Sequence, residues 1–133
     1  MNPAKVVFVC VANAGRSQMA AAFFNALADP ERARAASAGT RPGTAVHPEV
    51  VAAMREVGID LSRARPHSLS AGLTSGAVLI VTMGCGDECP RLPGVERDDW
   101  PLEDPKGQPI EGVRQIRDEI KRRVSALLEE RRW

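Results

Sequence analysis

The 133-residue sequence has no apolar run close to the roughly 20 residues that a membrane-spanning helix requires. It has no excess of either charge, since 18 lysines and arginines stand against 17 aspartates and glutamates. That balance gives no support to binding of nucleic acid or of an anionic membrane surface. Cysteine is scarce, and three residues are an odd number and too few for a disulfide scaffold. A cytoplasmic protein with reactive thiols is therefore the expectation.

The N-terminal residues show no signal-peptide pattern, because they lead directly into an apolar run. We expect residues 1–133 to form a single domain, since this length suits one hydrophobic core. We further expect a monomer that holds neither a metal nor a cofactor.

The most informative segment is residues 6–18. It begins with a continuous run of β-branched and aromatic residues, which predicts a strand buried on both faces. Apolar residues then recur with helical spacing from Met19 to Leu27, and Ser17 is an acceptable helix-start residue. The sequence therefore predicts a strand, a short loop of small residues and an amphipathic helix.

A loop in this position points its backbone N–H groups into one space, where the helix dipole also favours an anion. Arg16 adds a planar fork of donors suited to a tetrahedral oxyanion. Cys10 ends the strand and faces the same space, where these positive groups favour the nucleophilic thiolate. A cysteine at the end of an apolar strand is often an inert core residue, but this context favours a nucleophile. The loop lacks the lysine and flanking glycines of a Walker-type phosphate loop. The predicted oxyanion-binding residues are Val11, Ala12, Asn13, Ala14, Gly15, Arg16 and Ser17.

The rest of the chain predicts an α/β fold. Residues 77–83 form a second continuous apolar run, and residues 33–38 and 96–100 are weaker strand candidates. Helical patterns start at Pro48, with Val57 on the apolar face, and at Glu111. We therefore expect a three-layer sandwich in which a short, about four-stranded parallel sheet is flanked by helices. Ligands bind at the carboxyl ends of such strands, which places Cys10 and Cys85 at one edge.

Cys85 and Cys89 leave three interpretations open. A zinc site would need further ligands, and neither His47 nor His67 lies at zinc-ligand spacing. Inert packing conflicts with the glycines and acidic residues around the pair, which predict an exposed, flexible loop. Thiol exchange with Cys10 is the third interpretation, since a mobile loop would allow the sulfurs to approach.

The segment of residues 10–17, Cys-Val-Ala-Asn-Ala-Gly-Arg-Ser, resembles the signature of the low-molecular-weight tyrosine phosphatase superfamily. The Ser-Gln-Met-Ala that begins at Ser17 resembles the arsenate reductase branch of that superfamily. The resemblance continues in the family's order through five further short matches, at residues 37–39, 81–83, 89–90, 104–105 and 117–120. It thus covers nearly the whole chain.

The resemblance implies reduction of arsenate to arsenite. Cys10 would attack arsenic, and Asp104 would protonate the departing oxygen. Cys85 and then Cys89 would supply electrons by thiol exchange, which leaves a disulfide between these two residues for a reductant. The family implies thioredoxin or a low-molecular-weight thiol such as mycothiol as that reductant, and we expect thioredoxin. The short spacing of the loop cysteines is similar to that of actinobacterial and related enzymes.

Two other functions remain open. A phosphatase acting on phosphotyrosine or small aryl phosphates would use the same loop and acid without the loop cysteines. Such enzymes usually carry aromatic residues after Asp-Pro, whereas Lys106 and Gly107 follow here and tyrosine is absent from the sequence. A non-catalytic oxyanion-binding or redox-sensing module could also retain the thiols. Some reductases of the family bind potassium through an acid where this chain has Ala21, so we expect no bound cation.

Overall fold

A computed structural model describes residues 2–133. These residues form four strands, four α-helices and a short 3₁₀ helix, Gly86–Glu88. The strands are β1 (Ala4–Cys10), β2 (Ala33–Gly39), β3 (Ala77–Thr82) and β4 (Glu96–Asp99). The helices are α1 (Arg16–Leu27), α2 (Pro48–Arg55), α3 (Ala71–Thr74) and α4 (Ile110–Arg131). The strands form one parallel sheet in the order β2-β1-β3-β4, which confirms the predicted α/β fold class. Within residues 2–133, no helix combines the length and the apolarity needed to cross a membrane.

Strand β1 is central, and its continuous apolar run reflects burial on both faces. Val6 and Phe8 pack in a cluster with apolar side chains of α1, α2 and α4. Val7 and Val9 pack in a second cluster, which α3 and the loops after Thr82 cover. Successive side chains of β1 therefore pack against the two layers that lie on opposite faces of the sheet.

The edge strands explain the weaker sequence signals. β2 is rich in alanine, and the Asn25 side chain of α1 compensates by bonding its backbone. The Asn25 amide donates to the Ala35 carbonyl at 2.9 Å and its oxygen accepts from the Ala35 N–H at 2.8 Å. β4 consists of charged residues, as suits an exposed edge.

Three details of the sequence prediction were wrong. Helix α1 begins at Arg16 with Gly15 at the cap, so Ser17 is not the capping residue. Leu27 and Val57 are exposed, because Leu27 is the last residue of α1 and Val57 lies beyond the end of α2. Val78 is exposed because the β1–β3 register shifts there: Lys5 pairs with Ala77 and Val6 with Leu79.

A cluster of charged side chains fastens α2 to α4. Arg117 is 8% exposed and donates to the Ala53 carbonyl and to Glu56, at 2.8 Å each. Arg114 donates to the same carboxylate at 2.9 Å. The hydrogen bond from Arg114, assisted by that from Arg117, lowers the pKa of Glu56 from 4.5 to about 2. The carboxylate therefore stabilises the helix pair wherever it is ionised.

We predict that Glu56→Gln lowers the melting temperature at neutral pH. A depressed carboxyl pKa contributes stability that is complete above about 4.5 and is lost as pH falls toward about 2. The difference in melting temperature between variant and wild type should therefore be largest above pH 4.5 and should disappear toward pH 2. Thermal denaturation across this range measures it, with exposed Glu130→Gln as the control. A difference in melting temperature that is independent of pH would show that loss of the ion pair does not cause the destabilisation.

Candidate active site

The loop of residues 11–15 connects β1 to α1 at the carboxyl edge of the sheet. Its carbonyl groups are held by backbone N–H donors of residues 40–47, which lie between β2 and α2. The bonds run from Thr40 to Cys10 (3.1 Å), Arg41 to Val11 (2.8 Å), Gly43 to Ala12 (2.9 Å) and His47 to Ala14 (2.9 Å). Because the carbonyls face this outer segment, the N–H groups face the other way, toward the interior of the loop.

The interior of the loop has the donors of an anion site. The N–H groups of Val11, Ala12, Ala14 and Gly15 have no acceptor within residues 2–133. They adjoin the first turn of α1, where unpaired N–H groups and the helix dipole add positive potential. The predicted oxyanion loop therefore has the geometry to surround a tetrahedral anion.

Asn13 fixes the shape of the loop. Its φ of 52° is left-handed, a conformation that asparagine adopts more easily than most residues. The side chain is fully buried and donates to the Ser17 hydroxyl at 2.7 Å. Its oxygen accepts from the Gln18 amide at 3.0 Å and from the His67 N–H at 2.8 Å. Asn13 therefore braces the loop by side-chain hydrogen bonds.

The Cys10 sulfur faces two donors. It lies 2.8 Å from the Ser17 hydroxyl oxygen and accepts from the Asn13 N–H at 3.3 Å. Since the Asn13 amide already donates to that hydroxyl oxygen, the hydroxyl proton is free to point at the sulfur. The thiol is free and 2% exposed, so the oxyanion loop shields it from bulk solvent while Cys85 is bonded to Cys89.

Arg16 and Asp104 meet at the mouth of the loop. Arg16 is 7% exposed and donates to the Leu102 carbonyl at 3.2 Å. Its second terminal nitrogen lies 3.8 Å from a carboxylate oxygen of Asp104, whose side chain is 56% exposed. Pro105 packs so closely on Gly15 that a side chain at position 15 would lie 2.7 Å from the proline ring. This contact holds an accessible carboxyl group over the oxyanion loop.

Cys85 and Cys89 are bonded to each other, with their Cα atoms 5.2 Å apart. The expectation of an exposed, flexible loop is wrong for the cysteines themselves, because they are only 5% and 8% exposed. They pack with Val7 and Val9 on the opposite face of the sheet from the cluster that contains Cys10. The structure therefore pairs Cys85 with Cys89 and does not place either in the Cys10 cluster.

Several residues that shape the site were not identified from the sequence. Gln18 is buried and joins Asn13 to the Arg65 carbonyl at 2.9 Å. Gly84, at φ 90°, leaves room for the Arg16 guanidinium, where any side chain would collide with it. Gly39 at the end of β2 and Gly43 in the segment after it were a usable signal, since glycine allows close backbone approach.

The sequence model of the family described as low molecular weight phosphotyrosine protein phosphatase matches residues 5–132, and the chain belongs to this family. A putative arsenate reductase of Halobacterium salinarum is 42% identical, over 95% of this chain and 92% of that protein. The structure of the Corynebacterium glutamicum thioredoxin-dependent arsenate reductase Cg_ArsC1' is 36% identical, with a TM-score of 0.83. That match covers 97% of this chain and 62% of the other. An arginine phosphatase of Geobacillus stearothermophilus is 26% identical, with a TM-score of 0.79 over 98% and 94% of the chains.

The close approach at Gly39 gives a direct test of the oxyanion loop. A Cβ at Gly39 would lie 2.5 Å from the Val11 carbonyl oxygen, so Gly39→Ala must displace the loop. We predict that this change weakens phosphate binding about tenfold or more, because oriented N–H donors are lost. Titration followed by NMR measures the affinity, with inorganic phosphate as the probe.

Gly43→Ala is the matched control for Gly39→Ala. A Cβ at position 43 would meet its nearest neighbours at 3.8 Å, which is ordinary contact. Its phosphate affinity should stay near that of the wild type. If Gly39→Ala and Gly43→Ala bound phosphate with equal affinity, the proposed location of the anion site would be contradicted.

Proposed function

We propose that the protein reduces arsenate to arsenite for arsenic detoxification. The observation that carries this proposal is the disulfide between Cys85 and Cys89, which follows β3 while Cys10 stays free in an anion loop. Reduction of arsenate takes two electrons from thiols, whereas phosphate-ester hydrolysis needs no thiol besides the nucleophile. The arsenate reductases among the relatives support the same conclusion.

In the first step the N–H groups of the loop and the Arg16 fork bind arsenate, a tetrahedral oxyanion. The Cys10 sulfur attacks arsenic and forms an S–As bond. One arsenate oxygen leaves with a proton from Asp104, whose exposed carboxyl group lies beside Arg16 at the mouth of the site. The oxidation state of arsenic does not change in this step.

Electron transfer occurs in the second step. The Cys85 thiolate attacks the Cys10 sulfur, and an S–S bond forms as the S–As bond breaks. The electron pair of the broken bond stays on arsenic, which is thereby reduced from the +5 to the +3 state and leaves as arsenite. Cys89 then attacks Cys85, which frees Cys10 and leaves the Cys85–Cys89 disulfide. The pairing in the structure corresponds to this end point of the relay.

The relay requires Cys85 to move, because its sulfur is bonded to Cys89 in the apolar cluster opposite Cys10. The residues on either side of it are Gly84 and Gly86, with φ angles of 90° and 57°. Glycine samples both halves of φ space at little cost, so the backbone around Cys85 can change direction. This flexibility at two positions supports the role of Cys85 as the mobile resolving thiol.

We predict that Cys85→Ser stops catalytic reduction of arsenate, because no thiol then attacks Cys10. Cys89→Ser should stop after one turnover with a disulfide between Cys10 and Cys85. Arsenite analysis and mass spectrometry of unreduced peptides measure these outcomes.

Hydrolysis of p-nitrophenyl phosphate provides the control for both serine variants. This reaction uses Cys10, Arg16 and Asp104 alone, so both variants should retain most of it. If Cys89→Ser reduced arsenate through many turnovers with thioredoxin, the three-thiol relay would be contradicted. Normal cycling of both serine variants with a small thiol would favour a mycothiol-type mechanism.

We further propose that thioredoxin is the reductant. An intramolecular disulfide is the substrate that a dithiol protein reduces, whereas a monothiol mechanism could draw its electrons at Cys10 directly. The similarity to the thioredoxin-dependent arsenate reductase of Corynebacterium glutamicum supports this choice. Dependence on thiols also favours a cytoplasmic location, where thiols are kept reduced.

The reductant is tested by steady-state turnover with arsenate. We predict a higher rate with thioredoxin, thioredoxin reductase and NADPH than with mycothiol and its reductase at physiological thiol concentrations. The physical reason is that thioredoxin resolves its mixed disulfide internally through a second thiol. A higher rate with mycothiol would exclude thioredoxin as the preferred donor.

A further inference from the structure

The disulfide loop, defined as residues 83–95, is held by side chains outside it. Two such contacts lie close to Cys89. One fixes Glu88, the residue before Cys89, and the other fixes Pro90, the residue after it. The relay gives the loop two positions, since Cys85 must reach Cys10 and then return. Contacts made in only one of these positions will shift the balance between them.

The contact at Pro90 comes from β4. Arg97 donates to the Pro90 carbonyl at 3.2 Å and forms an ion pair with Asp99 at 3.3 Å. The Thr82 hydroxyl also donates to Asp99, which ties the network to the end of β3. The Arg97 side chain is only 27% exposed, so water screens its hydrogen bonds incompletely. Arg97 therefore anchors the backbone next to Cys89 to the edge strand of the sheet.

The contact at Glu88 comes from the segment that supports the oxyanion loop. Arg41 forms an ion pair with Glu88, and the Thr40 hydroxyl donates to the same carboxylate at 3.4 Å. The backbone N–H groups of Thr40 and Arg41 hold the Cys10 and Val11 carbonyls. Both side chains of the ion pair are well exposed, at 73% and 42%, so this contact is weaker than that of Arg97.

We propose that Arg97 and Arg41 are positioning residues that hold the disulfide loop in its oxidised position and thereby favour the Cys85–Cys89 disulfide over the dithiol. The proposal rests on the thiol relay, in which Cys85 leaves this position when reduced. Contacts made only by the oxidised loop stabilise the disulfide, so an enzyme without them is easier to reduce.

The equilibrium is measured in a Cys10→Ser background, where the loop pair exchanges with a dithiol buffer alone. Reduced dithiothreitol gives two electrons and two protons to the disulfide, and it becomes a cyclic disulfide as Cys85 and Cys89 become thiols. Alkylation and mass spectrometry give the reduced fraction at each buffer ratio. No arsenate enters this experiment, so its outcome does not depend on the proposed activity.

We expect Arg97→Met to lower the equilibrium constant for disulfide formation about tenfold, which raises the reduction potential by about 30 mV. Glu88→Gln, which weakens the contact with Arg41, should lower it about threefold. Arg91→Met removes a charge from the exposed part of the same loop and should leave it unchanged. If Arg97→Met fails to fold, Glu88→Gln still tests the proposal.

Salt distinguishes anchoring by charge from a general structural effect. Raising NaCl from about 0.1 to 1 M screens exposed ion pairs, so the wild-type constant should approach that of Glu88→Gln. The Glu88→Gln constant itself should change less with salt. Equal constants for wild type, Arg97→Met and Glu88→Gln would overturn the proposal. Failure of the wild-type enzyme to reduce arsenate would overturn the proposed function and leave this result standing.

Discussion

The backbone hydrogen bonds from residues 40–47 to the loop after β1 are the constraint on which the site depends. They turn the carbonyl oxygens of the loop outward, and a peptide unit turned this way points its N–H group inward. The same segment reaches the disulfide loop through Arg41 and Glu88. The segment of residues 40–47 therefore contacts both the oxyanion loop and the disulfide loop.

This constraint explains why the site needs so few charged residues. Arg16 is a buried cation at the mouth of the loop, and the other groups there that are free to donate to an anion are peptide N–H groups. Asn13 occupies the left-handed position of the loop. Its side-chain amide donates to the Ser17 hydroxyl, which in turn contacts the Cys10 sulfur. Oriented dipoles of this kind need little rearrangement when a charged ligand enters.

Much of the fold could be predicted from local pattern, since β1 is a continuous apolar run and α4 carries apolar residues at helical spacing. The alanine-rich β2 was a weak prediction because its partner in hydrogen bonding, Asn25, lies on another element. Burial of Cys85 and Cys89 was missed for a related reason. The loop around them is polar in sequence, and the cysteines are covered by side chains from other parts of the chain, such as Leu69 and Leu73, that periodicity does not connect to the loop. The proposed role of Asp104, and the choice of thiol exchange among the three interpretations of Cys85 and Cys89, came from the family resemblance.

In the proposed relay, the two electrons of arsenate reduction come from the thiols of Cys85 and Cys89. A single-turnover experiment tests it most directly: fully reduced wild-type protein is mixed with excess arsenate and no external reductant. The relay should yield one arsenite per protein molecule, a Cys85–Cys89 disulfide and a Cys10 that still reacts with an alkylating reagent. Unchanged arsenate with all thiols still reduced, or arsenite formed while Cys85 and Cys89 stay reduced, would contradict it.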